Sequence, residues 1–273
     1  MTAPLLPMND GRTIPQIGLG TWPLNDRQAE TVVAEAVAIG YRHIDTAVRY
    51  GNETGVGRGI AGCGVPREQL FVTTKVDGEF QGADRAAGGI AGSLRRLGLD
   101  YVDLLLIHWP LPERDQYVST WRTLERLRTE GLTRSIGVSN FKPSHLERLM
   151  AESSVVPAVN QIQVHPFVTR QDHRRFGADH GILTVSYSPL GRAGELLRHP
   201  LLEGVARSHG KTPAQIVLRW HVQQGLVPIP KSADPRRLSE NLDVFGFSLT
   251  AEELAAIGGL DTGKGVDSDV QGH

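Results

Sequence analysis

The sequence lacks the features of secreted and membrane proteins. It has a single cysteine, Cys63, so no intrachain disulfide can form, and a lone thiol fits a reducing compartment. No apolar run approaches the roughly 18 residues that a membrane-spanning helix requires, and the first residues lack a basic segment followed by an apolar one. These absences predict a cytoplasmic protein that makes no membrane contact.

An excess of charge of one sign is also absent. Lys and Arg number 29 against 30 for Asp and Glu, which gives a net charge of -1 at pH 7. Because a nucleic-acid surface normally requires a basic excess, no nucleic-acid partner is expected. His, Asp and Glu do not occur at metal-ligand spacing, so no metal site is predicted. The expected partner is a small molecule, and the expected state is a monomer.

The sequence does contain a regular alternation of apolar runs and amphipathic segments. The runs are typical of strands that are buried on both faces of a parallel sheet. Helical patterns such as 26–39 and 83–97, each followed by a glycine, separate them. The eight predicted strands are 17–21, 41–45, 70–74, 102–107, 135–138, 158–164, 182–187 and 226–229.

Eight strands that alternate with helices predict an α/β fold, a single (β/α)8 TIM barrel, because a parallel sheet of this size closes readily on itself. Asn9-Asp10-Gly11 is a hairpin turn signal ahead of the repeat, and it predicts an N-terminal β-hairpin lid. A capping box at Thr250 begins a C-terminal helix, which a polar tail follows. No segment has the composition of a linker, so residues 1–273 are expected to form one barrel domain. An open doubly wound sheet is the structural alternative.

Polar residues end one predicted strand after another. In a barrel the carboxyl ends of the strands form one face, where reactive groups stand. Any one of these residues alone would be read as an ordinary capped loop or a surface lysine, but their repetition favours a functional site. They are Asp45, Lys75 and His108 after the second to fourth strands, Ser139 and Asn140 after the fifth, Gln161 in the sixth, Tyr187 and Ser188 at the seventh, and Lys231 and Ser232 after the eighth.

Asp45, Tyr50, Lys75 and His108 supply the groups needed to protonate an alkoxide that forms when hydride attacks a carbonyl. Tyr50 is the predicted general acid, and its ordinary pKa of about 10 would be lowered by the ammonium of Lys75. Asp45 would hold Lys75, and His108 would orient the carbonyl oxygen through a hydrogen bond. For Asp45 and Tyr50 alone, a helix cap and a packed rim are the simpler interpretation.

Hydride transfer requires a cofactor, and the remaining strand ends suit a nicotinamide nucleotide. Ser139, Asn140 and Gln161 offer hydroxyl and amide groups to a carboxamide, while Tyr187 offers a ring face for stacking.

The start of the helix after the last strand is a predicted anion site. Lys231, Ser232, Arg237 and Asn241 lie there, and a 2′-phosphate would suit them, although these arginines alone could be a solvated helix face. A G-x-G-x-x-G match at 57–62 follows a loop and lies within a predicted helix, so it does not predict a dinucleotide fingerprint.

Taken together, these motifs resemble the aldo-keto reductase family along nearly the whole chain, and most closely its bacterial 2,5-diketo-D-gluconate reductase-like members. The matching motifs are GYRHIDTA at 40–47, YGNE at 50–53, TTK at 73–75, LLLIHWP at 104–110, IGVSNF at 136–141, VNQIQVHP at 159–166, YSPLG at 187–191 and IPKS at 229–232.

The resemblance implies NADPH-dependent reduction of aldehydes and ketones to alcohols, including sugar-derived dicarbonyls such as 2,5-diketo-D-gluconate. It implies that Asp45, Tyr50, Lys75 and His108 are catalytic. The implied cofactor residues are Thr21, Trp22, Asp45, Ser139, Asn140, Gln161, Tyr187, Ser188, Pro189, Leu190, Lys231, Ser232, Arg237, Glu240 and Asn241. The implied substrate contacts are Trp22, Tyr50, His108 and Trp109.

Two positions depart from the family pattern. Val76-Asp77-Gly78 follows Lys75 where family members often have Leu-Trp, so an aromatic wall of the substrate pocket is lost, and Trp22 and Trp109 would have to compensate. Asp234 lies near the expected phosphate site, where its carboxylate would repel a 2′-phosphate unless it caps the helix.

Two other functions stay open at the level of sequence. One is a barrel lyase that uses Lys75 as a Schiff base, which leaves Tyr187, Lys231 and Arg237 without a role. The other is an NADP(H)-binding sensor module whose turnover is incidental.

Overall fold

The computed structural model describes residues 3–270, apart from the side chain of Asp84. A two-stranded antiparallel hairpin, β1 (Leu5–Pro7) and β2 (Thr13–Pro15), precedes an eight-stranded parallel sheet. The parallel strands are β3 (Leu19–Gly20), β4 (His43–Asp45), β5 (Phe71–Val76), β6 (Val102–Ile107), β7 (Thr133–Ser139), β8 (Val159–Gln163), β9 (Leu183–Tyr187) and β10 (Val227–Pro228).

The parallel sheet closes on itself. Its strands follow chain order from β3 to β10, and each pairs in parallel with the next. The backbone N–H of Gly18 donates to Pro228 O at 3.0 Å, and that of Gly20 donates to Pro230 O at 3.0 Å. These two bonds join the first strand to the last, so the predicted barrel is confirmed and the open doubly wound sheet is wrong.

Helices surround the barrel, and the sequence pattern explains their orientation. In the first helix the apolar positions at helical spacing are the buried ones, and Gly40 ends it at a φ of 128°. The helices are α1 (Asp26–Ile39), α2 (Glu53–Gly62), α3 (Ala83–Leu97), α4 (Tyr117–Thr129), α5 (Pro143–Ala151), α6 (Gln171–Asp179), α7 (Pro200–His209), α8 (Pro213–Gln223), α9 (Pro235–Leu242) and α10 (Ala251–Gly258).

The glycines of α2 have a packing role. A Cβ on Gly55 would lie 2.0 Å from Asp26 O, and one on Gly57 would lie 2.2 Å from Leu97 O. Helix α2 therefore approaches α1 and the end of α3 more closely than any larger residue allows. This accounts for the G-x-G-x-x-G match without a nucleotide, as the sequence context predicts.

The N-terminal hairpin covers the amino end of the barrel. Met8 and Ile14 are buried among interior residues of the strands, including Leu104 and Val159. Asn9 donates from Nδ2 to the oxygen of Pro157, two residues before β8, at 2.9 Å. The predicted lid therefore closes the face opposite the carboxyl ends, so the hairpin fills the bottom of the barrel and leaves the reactive face to the loops.

The segment after α10 returns to the carboxyl-end loops. Thr262 donates its backbone N–H to Phe167 O at 3.0 Å, and Asp267 pairs with Lys142 at 2.6 Å. The predicted C-terminal helix and tail are thus present, with the tail against the loops that follow β7 and β8. Within residues 3–270, no helix is long and apolar enough to cross a membrane.

Candidate active site

Lys75 is the centre of the polar cluster at the carboxyl ends of the strands. It lies in β5 and is only 1% exposed. Its Nζ donates to Asp45 Oδ1 at 2.6 Å, to Thr46 O at 2.8 Å and to Tyr50 Oη at 3.3 Å. The three predicted partners therefore meet as the sequence indicates, although they come from separate parts of the chain.

Asp45 is held through both carboxylate oxygens. Oδ1 accepts from Lys75, and Oδ2 accepts from Nε2 of Gln161 at 2.7 Å. Because β4 and β8 lie on different sides of the barrel, Gln161 reaches across the interior to make this bond. One amide thus joins the predicted acid–base cluster to the predicted nicotinamide residues.

Tyr50 projects from a 3₁₀ turn, Val48–Tyr50, that follows β4. Its ring meets that of His108 edge-on, with centroids 5.8 Å apart, and lies 5.5 Å from the ring of Trp22. Trp109 stands next to His108 at 6.3 Å, and Trp22 is 55% exposed. Ring contacts therefore join the four predicted substrate residues in sequence, Trp22 to Tyr50, Tyr50 to His108 and His108 to Trp109.

The electrostatics of the cluster correct one expectation. Burial raises the pKa of Tyr50, and although Lys75 lowers it, the net pKa lies above its ordinary value. The expectation of a lowered Tyr50 pKa is wrong, because burial of the phenol outweighs the nearby ammonium. Tyr50 is consequently protonated at neutral pH, as a proton donor must be.

Lys75 is charged at neutral pH, whereas His108 is not. Burial lowers the pKa of Lys75, but Asp45 and Tyr50 raise it to a net value above the ordinary one, so Lys75 is an ammonium. Burial, followed by the charges of Lys75 and Arg49, holds the pKa of His108 well below its usual range. His108 is therefore a neutral imidazole at pH 7, suited to hydrogen bonding rather than to charge.

The predicted nicotinamide residues form a connected network beside this cluster. Asn140, at a positive φ of 64°, donates from Nδ2 to His108 O at 3.0 Å, and its Oδ1 accepts from Tyr187 Oη at 2.9 Å. Ser139 donates to Gln161 O at 2.8 Å. Tyr187 is thus fixed by its hydroxyl while its ring remains next to the amide groups, which is the donor set a carboxamide and a stacked ring require.

The predicted anion site lies at the start of α9. Asp234 accepts from the backbone N–H of Arg236 at 2.9 Å, so it caps the helix, which is the one condition under which a carboxylate is tolerable there. Arg237 Nε lies 3.8 Å from Asp234 Oδ2, and its side chain is 67% exposed. The guanidinium of Arg237 is therefore free to turn toward a phosphate.

The remaining predicted cofactor residues lie on the same loops. Ser188, Pro189 and Leu190 follow β9, with Ser188 at a φ of 48°, and Glu240 pairs loosely with Arg236 at 3.8 Å. The others lie on the barrel rim or on α9: Thr21, whose hydroxyl donates to Asp45 O at 2.9 Å, the exposed Lys231 and the buried Ser232 before α9, and the buried Asn241 in its last turn.

Two residues beside the cluster were not predicted as site residues. The sequence indicates Asp77 only through the loss of an aromatic wall, and it does not distinguish Arg49 from other exposed arginines. The structure places Asp77 Oδ1 3.8 Å from His108 Nδ1 and Asp77 Oδ2 3.7 Å from Arg49 Nη1. The only signal in the sequence is their adjacency to Tyr50 and to the strand that carries Lys75.

Cavities elsewhere on the molecule do not carry this chemistry. One of about 570 Å³ lies between α6 and the turn before β10, and one of about 470 Å³ lies between α2 and α3. Neither is lined by a residue of the acid–base cluster. Over the described part of the chain, no group of three or more His, Cys, Asp or Glu side chains could hold a metal ion.

The fold and the site define a class of protein: a (β/α)8 barrel in which a buried lysine, aspartate and histidine lie against a half-buried tyrosine at the carboxyl face. The model of the Aldo/keto reductase family matches residues 16–262. The chain belongs to this family, and the predictions of the family and of an NADP(H)-dependent oxidoreductase are confirmed.

Similar proteins match this chain over nearly its whole length and over nearly the whole of their own. An aldo-keto reductase of Mycolicibacterium smegmatis is 49% identical over 267 residues, covering 98% of this chain and 97% of the relative. The 2,5-diketo-D-gluconic acid reductase B of a Corynebacterium species is 48% identical over 270 residues, covering 99% and 98%. The crystal structure of a Gox0644 mutant in complex with NADPH matches with a TM-score of 0.95 and 44% identity over 100% of both chains.

Proposed function

We propose that this protein reduces small aldehydes and ketones to alcohols with NADPH, that its substrates include sugar-derived dicarbonyls such as 2,5-diketo-D-gluconate, and that Tyr50 is the general acid. The observation that carries the proposal is the contact of Lys75 Nζ with both Asp45 and Tyr50, next to the ring of His108, which meets the Tyr50 ring edge-on. One of the similar proteins is a reductase of 2,5-diketo-D-gluconic acid, which supports the dicarbonyl class.

The cofactor would be held by the amide network and the start of α9. Ser139, Asn140 and Gln161 would bind the carboxamide, Tyr187 would offer its ring face to the nicotinamide, and Arg237 would bind the 2′-phosphate. NADPH supplies the hydride to the carbonyl carbon when it is bound.

The protein's own residues deliver the proton to the carbonyl oxygen. His108, a neutral imidazole, orients the carbonyl oxygen toward Tyr50, and Tyr50 passes its hydroxyl proton to that oxygen as negative charge develops there. The phenolate left behind is stabilised by the ammonium of Lys75 at 3.3 Å, and Asp45 keeps that ammonium in place. The ammonium of Lys75 attracts the phenolate more strongly than the neutral phenol, so its stabilising effect grows as the proton leaves Tyr50, which is the differential stabilisation that catalysis requires.

The two alternatives fit the site less well. A Schiff-base lyase needs a neutral lysine, whereas Asp45 and Tyr50 raise the pKa of Lys75 despite its burial. A sensor that only binds NADP(H) would not require the ammonium of Lys75 within 3.3 Å of the Tyr50 hydroxyl, whereas a general acid would use that contact to stabilise its phenolate.

The experiment follows NADPH absorbance with a panel of aldehydes, ketones and sugar dicarbonyls. Carbonyl-dependent loss of NADPH, with an alcohol product in equal amount, is the expected result. Borohydride is added to parallel samples, and no substrate adduct on Lys75 is expected. If no carbonyl compound of the panel changed the rate at which NADPH absorbance is lost, the reductase function would be contradicted. A substrate adduct trapped on Lys75 would support the lyase instead.

A further inference from the structure

A second pair of charges, Arg49 and Asp77, lies beside the catalytic cluster. Arg49 immediately precedes Tyr50 in the 3₁₀ turn, and Asp77 directly follows β5, which carries Lys75. Since Asp77 also lies 3.8 Å from the imidazole of His108, the pair borders the place where the carbonyl group of a substrate would sit.

The two charges are close but only loosely joined. The 3.7 Å between Arg49 Nη1 and Asp77 Oδ2 is too long for a hydrogen bond. Asp77 Oδ1 is buried without a hydrogen-bond partner in the described part of the chain. The guanidinium of Arg49 therefore keeps donors for another acceptor and loses little if it turns away from Asp77.

Exposure decides which of the two charges an incoming molecule meets first. The side chain of Arg49 is 46% exposed, whereas that of Asp77 is 12% exposed. Lys75, the other cation of the site, is already matched by Asp45 at 2.6 Å. Arg49 is also near enough to His108 for its positive charge to lower the pKa of that imidazole, after burial and Lys75. Arg49 is therefore the accessible positive charge next to the reacting groups.

We propose that Arg49 binds a carboxylate of the substrate, so that the enzyme prefers carbonyl compounds that carry an acid group, and that this carboxylate displaces Asp77, which competes with it for the guanidinium. The inference rests on the proposed reductase function. A guanidinium presents parallel N–H donors that match the two oxygens of a carboxylate, and such charge-assisted bonds are stronger than the contact at 3.7 Å that they replace. Arg49 is thus a specificity-determining residue, and it takes no part in the proton transfer.

The test compares two aldehydes of nearly equal size, para-carboxybenzaldehyde and its methyl ester, with NADPH as reductant. The readout is the ratio of kcat/KM for the acid to kcat/KM for the ester. Arg49→Gln is expected to lower this ratio by about tenfold or more, the scale of a lost hydrogen bond to a charged group. Arg49→Lys keeps the charge but loses the forked geometry, so its ratio should lie between that of the wild type and that of Arg49→Gln.

Two further variants complete the design. Asp77→Asn removes the competing negative charge and should raise the ratio, whereas a lower ratio would overturn its place in the proposal. Arg207→Gln, which removes an exposed arginine of α7, is the matched control and should leave the ratio unchanged.

The outcomes distinguish failure of the Arg49 assignment from failure of the reductase function. A wild-type ratio in both Arg49→Gln and Arg49→Lys, with both aldehydes reduced, would overturn the assignment of Arg49 and leave the reductase intact. Failure of the wild-type protein to reduce either aldehyde would instead overturn the reductase function on which the assignment rests.

Discussion

Lys75 and Asp45 form an ion pair of 2.6 Å in which the two side chains are 0% and 2% exposed. The attraction compensates the cost of burying both charges only while both partners are present. The same ammonium is 3.3 Å from the Tyr50 hydroxyl. Loss of the ion pair should therefore affect both the stability of the fold and the proposed proton transfer.

Removal of one partner should therefore destabilise the fold strongly. Lys75→Met leaves Asp45 as an uncompensated buried carboxylate, and we expect the free energy of unfolding to fall by about 3 kcal/mol or more in urea titrations. Lys211→Met is the control, because Lys211 and Asp243 form a pair of the same length at a half-exposed site, where we expect at most about 1 kcal/mol. Equal losses in the two variants would contradict the assignment.

Two buried histidines should make the protein less stable in mild acid. Burial lowers the pKa of His43 to about 3 and that of His221 to about 4. In the unfolded chain both take up protons below a pKa of about 6.5, whereas in the folded chain they do not, so stability is full above that pH and is lost as the pH falls.

The expected loss between about pH 8 and pH 5 is about 2 kcal/mol for each histidine. The check is His221→Gln, which should reduce the difference between unfolding free energies measured at those two pH values by about that amount. A variant with the same pH dependence as the wild type would show that His221 titrates alike in both states.

Arg237 should distinguish NADPH from NADH. Its exposed guanidinium is the predicted partner of the 2′-phosphate, which NADH lacks, so Arg237→Ala should raise the Kd for NADPH by about tenfold and that for NADH much less. Tryptophan fluorescence titration measures both constants, and Arg207→Ala, on an outer helix, is the control. Equal changes for the two nucleotides would remove the phosphate role from Arg237.

Much of the site could be predicted because it follows the strand repeat. Lys75, Asp45 and His108 each lie at or just after the end of an apolar run, and the carboxyl ends of parallel strands meet at one face of a barrel. The positions of these residues in the strands were therefore enough to predict that side chains distant along the chain lie close together.

The contacts of Arg49 and Asp77 could not be predicted in this way. They depend on two short turns, Val48–Tyr50 and Gly78–Phe80, whose conformations have no repeat in the sequence. The direction of the net pKa shift of Tyr50 could not be predicted from the sequence either, because it depends on the burial of the phenol as well as on the neighbouring charge.

Replacement of Tyr50 by Phe tests the central claim most directly. The substitution removes only the hydroxyl, 3.3 Å from Lys75, and keeps the ring between Trp22 and His108. We predict that single-turnover reduction of an aldehyde by bound NADPH slows by about a hundredfold or more while the Kd for NADPH stays the same. A rate close to that of the wild type would contradict the account, because the proton would then come from another group.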